Sequence, residues 1–275
     1  MEPVIREVVA KTVLNRSSLG GYSLNCYVGC RHACVYCYAR YMQRFHPHPE
    51  SWGSFVDVKV NAPEALVKQL RRAQPGSVFV SSACDAYQPL ERELRLTRAC
   101  VEMLMRYGFE VHVLTKSALV LDDIPIYSKT RRARIAVTIT SPDESVARLW
   151  EPHASPVARR LDVLRQAKAA GLPTAVMFGP LLPGISDDDA TLDSLMKSAA
   201  DLDVDSLWTD ALNLRPKVWQ SVGPLVSKRY PALLPLYKNV LFNAAFREDY
   251  LAGLAARIRA AAARHNLLPR LEGCP

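Results

Sequence analysis

The chain has 275 residues, 49% of them hydrophobic, enough for one large core or two small ones. Lys and Arg number 35 against 27 Asp and Glu, a formal net charge of +8, so a polyanionic partner and an ordinary basic surface are both open readings. No apolar run reaches the roughly 18 residues that span a bilayer, and the opening MEPVIREVVAK lacks the parts of a secretion signal, so the expectation is a cytoplasmic protein with no membrane partner.

In chain order, residues 1–20 read as a polar N-terminal extension. A strand is predicted near GYSLN (21–25), followed by the cysteine-rich loop NCYVGCRHACVYCYAR (25–40) and a helix over 61–73, with Pro63 in its first turn after Asn61. SVFVSS (77–82) then precedes helical TRACVEMLMRYG (97–108), and EVHVLT (110–115) precedes ALVLDDIPIY (118–127). RIAVTIT (134–140) pairs with a helix over 155–170, PTAVMFG (173–179) with one over 187–200, and VDSLWTDALNL (204–214) closes the series. Gly108 and Gly171 fall where C-terminal caps belong, and SDDD (186–189) supplies a cap and an acidic first turn. Six β/α units predict an α/β fold, a partial (β/α)6 TIM-type barrel over 21–214 with chemistry at the C-terminal ends of its strands. Residues 215–275 read as a basic, helical C-terminal extension whose amphipathic helix (244–268) covers the barrel edge.

Seven cysteines, an odd number, suit metal binding or catalysis better than disulfides in a reducing compartment. Cys30, Cys34 and Cys37 are spaced C-x3-C-x2-C directly after the first strand. Zinc sites present paired cysteines and four protein ligands. Three cysteines in one loop suit instead an iron–sulfur cluster with one iron left open to an outside ligand. Cys26 adds a second three-residue gap but falls outside the x3, x2 pattern, and Cys100 lies on the apolar face of its helix.

With Tyr36 as the aromatic before the third cysteine, this loop resembles the radical S-adenosylmethionine (SAM) superfamily. The likeness continues through FVDVKVNAPEAL (55–66), SSACDAYQPLERELRLTR (81–98), VLTKSALVLDDI (113–124) and GPLLPGISD (179–187), which are similar to the spore photoproduct lyase-like branch. The resemblance implies a 4Fe-4S cluster on Cys30, Cys34 and Cys37, with SAM chelating the open iron. Reductive cleavage of SAM would then yield a 5′-deoxyadenosyl radical, with an electron donor such as a flavodoxin or ferredoxin as partner. It further implies that Ser81 and Ser82 lie near the SAM amino group, Lys116 near its carboxylate or ribose, and Thr138 near the ribose, with Tyr36 bordering the adenine. Spore photoproduct lyases themselves, unlike many of their relatives, carry a cysteine near position 84 that returns a hydrogen atom to the product, which makes Cys84 the candidate donor; a small buried thiol is the plainer reading.

The implied substrate is damaged DNA carrying a thymine photolesion. An RNA, peptide or small-molecule substrate is the alternative, and a nucleic-acid-binding protein with a structural or redox-sensing cluster a more distant one. Tyr87 and Gln88 suit polar contacts with a base, although they also suit knitting their own loop together. Arg215 and Lys217, in a basic stretch after the sixth strand, suit phosphate contacts, as do KTRRAR (129–134) and SKRY (227–230), with Trp219, Tyr230 and Tyr237 as neighbouring aromatics.

Overall fold

A computed structural model of the chain describes residues 3–17, 20–130, 132–213, 215 and 217–275; Arg131 of the KTRRAR run and Leu214 and Pro216 beside Arg215 lie outside the described residues. The strands run β1 (Val4–Val8), β2 (Leu14–Arg16), β3 (Tyr22–Leu24), β4 (Tyr27–Val28), β5 (Phe55–Lys59), β6 (Ser77–Val80), β7 (Glu110–Thr115), β8 (Ala133–Ile139), β9 (Thr174–Leu181), β10 (Ser206–Ala211) and β11 (Leu271–Gly273). Among them β3, β6, β7, β8, β9 and β10 pair in parallel in chain order, and they are the six strands expected from the sequence. The sheet ends in antiparallel β2 on one edge and parallel β11 on the other, and these two edges do not pair. The barrel is therefore partial.

Alternation along each strand divides the sheet into two faces. On β8, Ile135, Val137 and Ile139 join the main core with helix residues such as Leu104, Val163 and Leu164. Arg134, Ala136 and Thr138 face an interior cavity instead. The same split sets Val78 and Val80 against Ser77 and Phe79 on β6. The hydrophobic mass thus lies between sheet and helices, while the barrel interior holds an open cavity lined by both polar and apolar side chains.

The expected helices form at Ala62–Leu70, Leu96–Arg106, Val157–Ala169 and Asp189–Asp201. Gly108 and Gly171 follow two of them at φ of +83° and +73°, the left-handed conformation that ends a helix and that glycine adopts without a Cβ clash. Asp188 caps its helix by accepting from the Thr191 N–H at 3.0 Å. Asn61 is spent differently: its amide donates to the Ala10 carbonyl and accepts from the Ala10 N–H, tying the N-terminal segment down. Residues 118–127 form a 3-10 helix, Ala118–Asp123, and a single α turn, Ile124–Tyr127, because Pro125 falls where a continuous helix would need its N–H. The C-terminal helix Ala244–Arg264 buries Leu254, Ile258, Ala261 and Ala262 in the main core, as a cover should. No helix among the described residues is long and apolar enough to cross a membrane.

One unit was not expected from the sequence. β5 pairs with β1 in parallel and with β4 in antiparallel, making a small second sheet beside the cysteine loop.

Candidate functional site

A cavity of about 850 Å³ runs through the barrel interior, within the size range of small-molecule and cofactor sites. Cys30, Cys34 and Cys37 all line it, and none of them is in a disulfide. The loop that carries them leaves β4 at Gly29, where φ is +88° and a Cβ would lie 2.4 Å from the Phe55 carbonyl oxygen, so no side chain fits. Gly53 makes a second close approach: a Cβ there would lie 2.6 Å from Ala33 Cβ, between the first two motif cysteines. The 3-10 helix Tyr38–Arg44 begins directly after Cys37.

Buried charge fixes the rest of the loop. Asp85 accepts from Thr115 Oγ1 at 2.7 Å and from the Lys116 N–H at 2.8 Å, and it lies 3.3 Å from His32 Nδ1 in the loop. Burial alone would raise its carboxyl, but His32 and these donors hold it well below the usual carboxylate range. Tyr36 donates to Glu151, which pairs at 2.5 Å with Arg160; Glu151 and Arg160 are each 1% exposed. Burial opposes ionisation of Glu151, yet Arg160 and Lys116 keep its carboxyl below the ordinary value. Arg160 also donates to the Thr138 and Ser155 carbonyls, so its charge is satisfied on several sides.

Around this frame the structure brings most of the expected residues together. Ser81, Ser82, Lys116 and Thr138 line the cavity with the motif cysteines. Lys116 Nζ lies 5.6 Å from the Tyr36 ring centroid and makes no hydrogen bond or ion pair among the described residues, leaving a cation with donor capacity in the cavity. Although burial disfavours its charge, the neighbouring Cys34 and Glu151 raise its affinity for the proton above the ordinary value. The Ser81 hydroxyl donates to Asn25 Oδ1 at 2.6 Å, and Asn25 Oδ1 also accepts from the N–H groups of Ser82 and Ala83. Cys84 Sγ lies 3.1 Å from Ser81 Oγ, and Cys84 packs against the apolar cluster that holds Cys30. Burial pushes the Cys84 thiol up to about 12.

Other residues sit elsewhere. Tyr87 is buried away from the cavity, donating to Asp123 at 2.9 Å. Gln88 is fully buried; it accepts from the Arg31 N–H and donates to the Gly29 carbonyl, so it knits the cysteine loop. Both were candidate substrate residues, and both act in the scaffold because their loop folds inward. Lys217 is exposed at the start of helix Val218–Arg229 and does not line the cavity. Tyr237 is 0% exposed and stacks on Trp150, while Trp219 packs edge-on against Phe242. Arg215 does reach the cavity mouth, with its guanidinium 4.6 Å from the Tyr41 ring centroid and 5.9 Å from that of Tyr38.

Sequence reasoning missed Asn25, Glu151, Arg160 and Tyr41. Only Asn25 carried a local signal, its place at the C-terminal end of the first barrel strand. Cys26, outside the motif by spacing, is buried with its Sγ 3.8 Å from that of Cys100.

Among the described residues no group of three or more His, Cys, Asp or Glu converges to hold a single metal ion. A cluster makes a different demand, since its thiolates each take their own iron and stand further apart. Three reduced, cavity-facing sulfurs next to a free ammonium and fixed hydroxyls suit a cluster together with a ligand bearing amino, carboxylate and ribose groups.

The profile of the Radical SAM superfamily matches residues 24–195. An uncharacterized protein of Methanocaldococcus jannaschii is 32% identical over 185 residues, 66% of this chain and 70% of its own length. An uncharacterized protein of Mycobacterium tuberculosis is 28% identical over 248 residues, 85% of this chain and 72% of its own. Among solved structures, spore photoproduct lyase complexed with dinucleoside spore photoproduct matches with a TM-score of 0.66 at 15% identity, covering 98% of this chain and 81% of that one. That likeness carries the fold, and the profile carries the chemistry: the chain belongs to the radical SAM superfamily of enzymes, whose cofactors are a 4Fe-4S cluster and SAM.

Proposed function

We propose that the protein is a lyase that reverses a thymine photolesion of the spore photoproduct type in DNA by cleaving the carbon–carbon bond between the two bases. The observation that carries this reading is the placement of Cys84, a thiol held protonated by burial, on the same cavity as Cys30, Cys34 and Cys37. When bound, the cluster and SAM supply a 5′-deoxyadenosyl radical that removes a hydrogen atom from the substrate.

The chain's own residues do the rest. Cys30, Cys34 and Cys37 hold three of the four irons. Lys116 receives the SAM carboxylate, Ser81 and Ser82 the amino end and Thr138 the ribose, while the backbone at Tyr36 borders the adenine. Cys84 gives its sulfur-bound hydrogen atom to the thymine carbon radical left after scission and becomes a thiyl radical. Arg215 with Tyr41 and Tyr38, whose rings are stacked at 6.5 Å, offers a charged and aromatic rim for a nucleic-acid strand. An acidic flavodoxin or ferredoxin suits the chain's basic balance as electron donor.

The test is anaerobic incubation of the reconstituted enzyme with SAM, dithionite and a spore-photoproduct oligonucleotide, followed by mass spectrometry. The expected products are 5′-deoxyadenosine and restored thymines, with Cys84→Ala forming the former but not cleanly the latter. Undamaged yields of photoproduct alongside steady 5′-deoxyadenosine formation would move the substrate to RNA, a peptide or a small molecule.

A further inference from the structure

Beneath the cysteine loop lies a buried donor with no well-formed hydrogen bond of its own. Trp52 is 5% exposed, and its indole Nε1 has no hydrogen-bond acceptor among the described residues. An unpaired buried N–H is costly, so a native fold that keeps one raises the question of its acceptor. Trp52 belongs to a small apolar cluster with Cys30, Ala39 and Phe55, against which Cys37 and Cys84 pack. Its position is tightly set. Gly53, the next residue, abuts Ala33 of the loop; Phe55 meets the Trp52 ring edge to face at 5.9 Å and also abuts Gly29.

We propose that Trp52 is a positioning residue for the cluster, donating its indole N–H to the Cys37 thiolate once that sulfur binds iron and thereby raising the cluster's reduction potential. This rests on Cys37 being a cluster ligand. A thiolate on iron is a much better acceptor than the neutral thiol, so the donor's partner is completed by assembly of the cluster. In the chain itself the Trp52 indole already faces the Cys37 sulfur as a side-chain donor, and Cys37 packs against the Trp52 cluster. Hydrogen bonds to ligand sulfur disperse its negative charge and favour the electron-rich, reduced cluster, one of the known levers on iron–sulfur potentials.

The deciding variant is Trp52→Phe, which removes the N–H and keeps most of the ring. The reconstituted wild type and variant are compared in an EPR-monitored redox titration, with iron and sulfide content measured on the same samples. The expected result is full cluster content in both and a roughly tenfold weaker reduction of the variant, which is 59 mV for a one-electron couple. In deuterated buffer, pulsed EPR of the reduced wild type should show a strongly coupled exchangeable deuteron that the variant lacks. Equal potentials and equal deuteron couplings at full cluster content would overturn the inference while leaving the cluster assignment intact. Failure of the wild type to take up iron would instead remove the assignment of Cys37 on which it rests.

Discussion

The three motif cysteines are seated in two different kinds of surroundings. Cys34 packs with Tyr36, Trp150 and Leu182 in front of the Glu151–Arg160 ion pair, whereas Cys30 packs with Trp52 and Phe55 on the side of the small β1-β5-β4 sheet. Cys37 touches both groups. One side of the loop is held by buried charge, the other by close backbone contact. The difference teaches that two kinds of precision are combined here. Charge networks fix orientation but fail abruptly when one member is lost, while glycine contacts fix distance and yield gradually.

Removing charge from the first side should have the largest effect. Glu151→Gln leaves Arg160 buried without its counter-charge, and a loss of about 3–5 kcal/mol in urea unfolding is expected at pH 7. The Glu151 carboxyl lies below its ordinary value in the fold, so its stabilisation is complete above the unfolded carboxylate pKa of about 4.3 and fades as pH falls through the lower folded value. The gap between wild type and variant should therefore narrow in acid and not in base; a constant gap from pH 7 down to pH 3 would remove the ion pair as its source.

On the second side the expected effect is smaller. Gly53→Ala combines a φ of +97° with a contact at 2.6 Å, and a loss of about 2 kcal/mol is expected. Gly171→Ala, at φ of +73° with nothing within 4 Å, isolates the backbone part alone, about 1 kcal/mol. Equal thermal shifts in the two variants would mean that the Ala33 contact contributes nothing. Gly53→Ala should also lower iron retention, and Gly171→Ala should not.

The smallest effect on stability is expected at the rim, away from both sides. Arg215 is exposed, so Arg215→Ala should change unfolding free energy by no more than about 0.5 kcal/mol. In fluorescence anisotropy with a single-stranded oligonucleotide, the same variant should lessen the salt dependence of binding by about one counterion. An unchanged slope would detach Arg215 from phosphate.

What the sequence revealed and what it hid follow the same division between local and distant causes. The six strands, the helices between them and the cysteine spacing were legible because alternation, caps and spacing are written within short windows. Lys116, Ser81 and Thr138 were named by the family resemblance, and they line one cavity with the motif cysteines because the ends of parallel strands converge. Glu151 was not, since it meets Tyr36 across 115 positions and nothing near either residue marks the pair. Tyr87 and Gln88 were misplaced for a related reason: polar residues after a strand point either into a site or back under their own loop, and only the folded chain decides which. The pairing of β1 with β5 joins segments separated by the whole cysteine loop, so neither short strand announced its partner.

The unpaired edges of the main sheet carry one more consequence. In a closed barrel the girth is fixed by strand number and shear, and every strand is locked by hydrogen bonds on both sides. Here the ring is left open, and Arg16 from β2 and Glu272 from β11 both look into the hollow between the edges. Glu272 is tethered to Arg134 of β8 by a partly solvated ion pair at 2.5 Å, a bond that salt weakens. At this end the β11 edge is thus tied back to β8 by a side-chain pair that salt weakens, and no strand pairing joins it to β2.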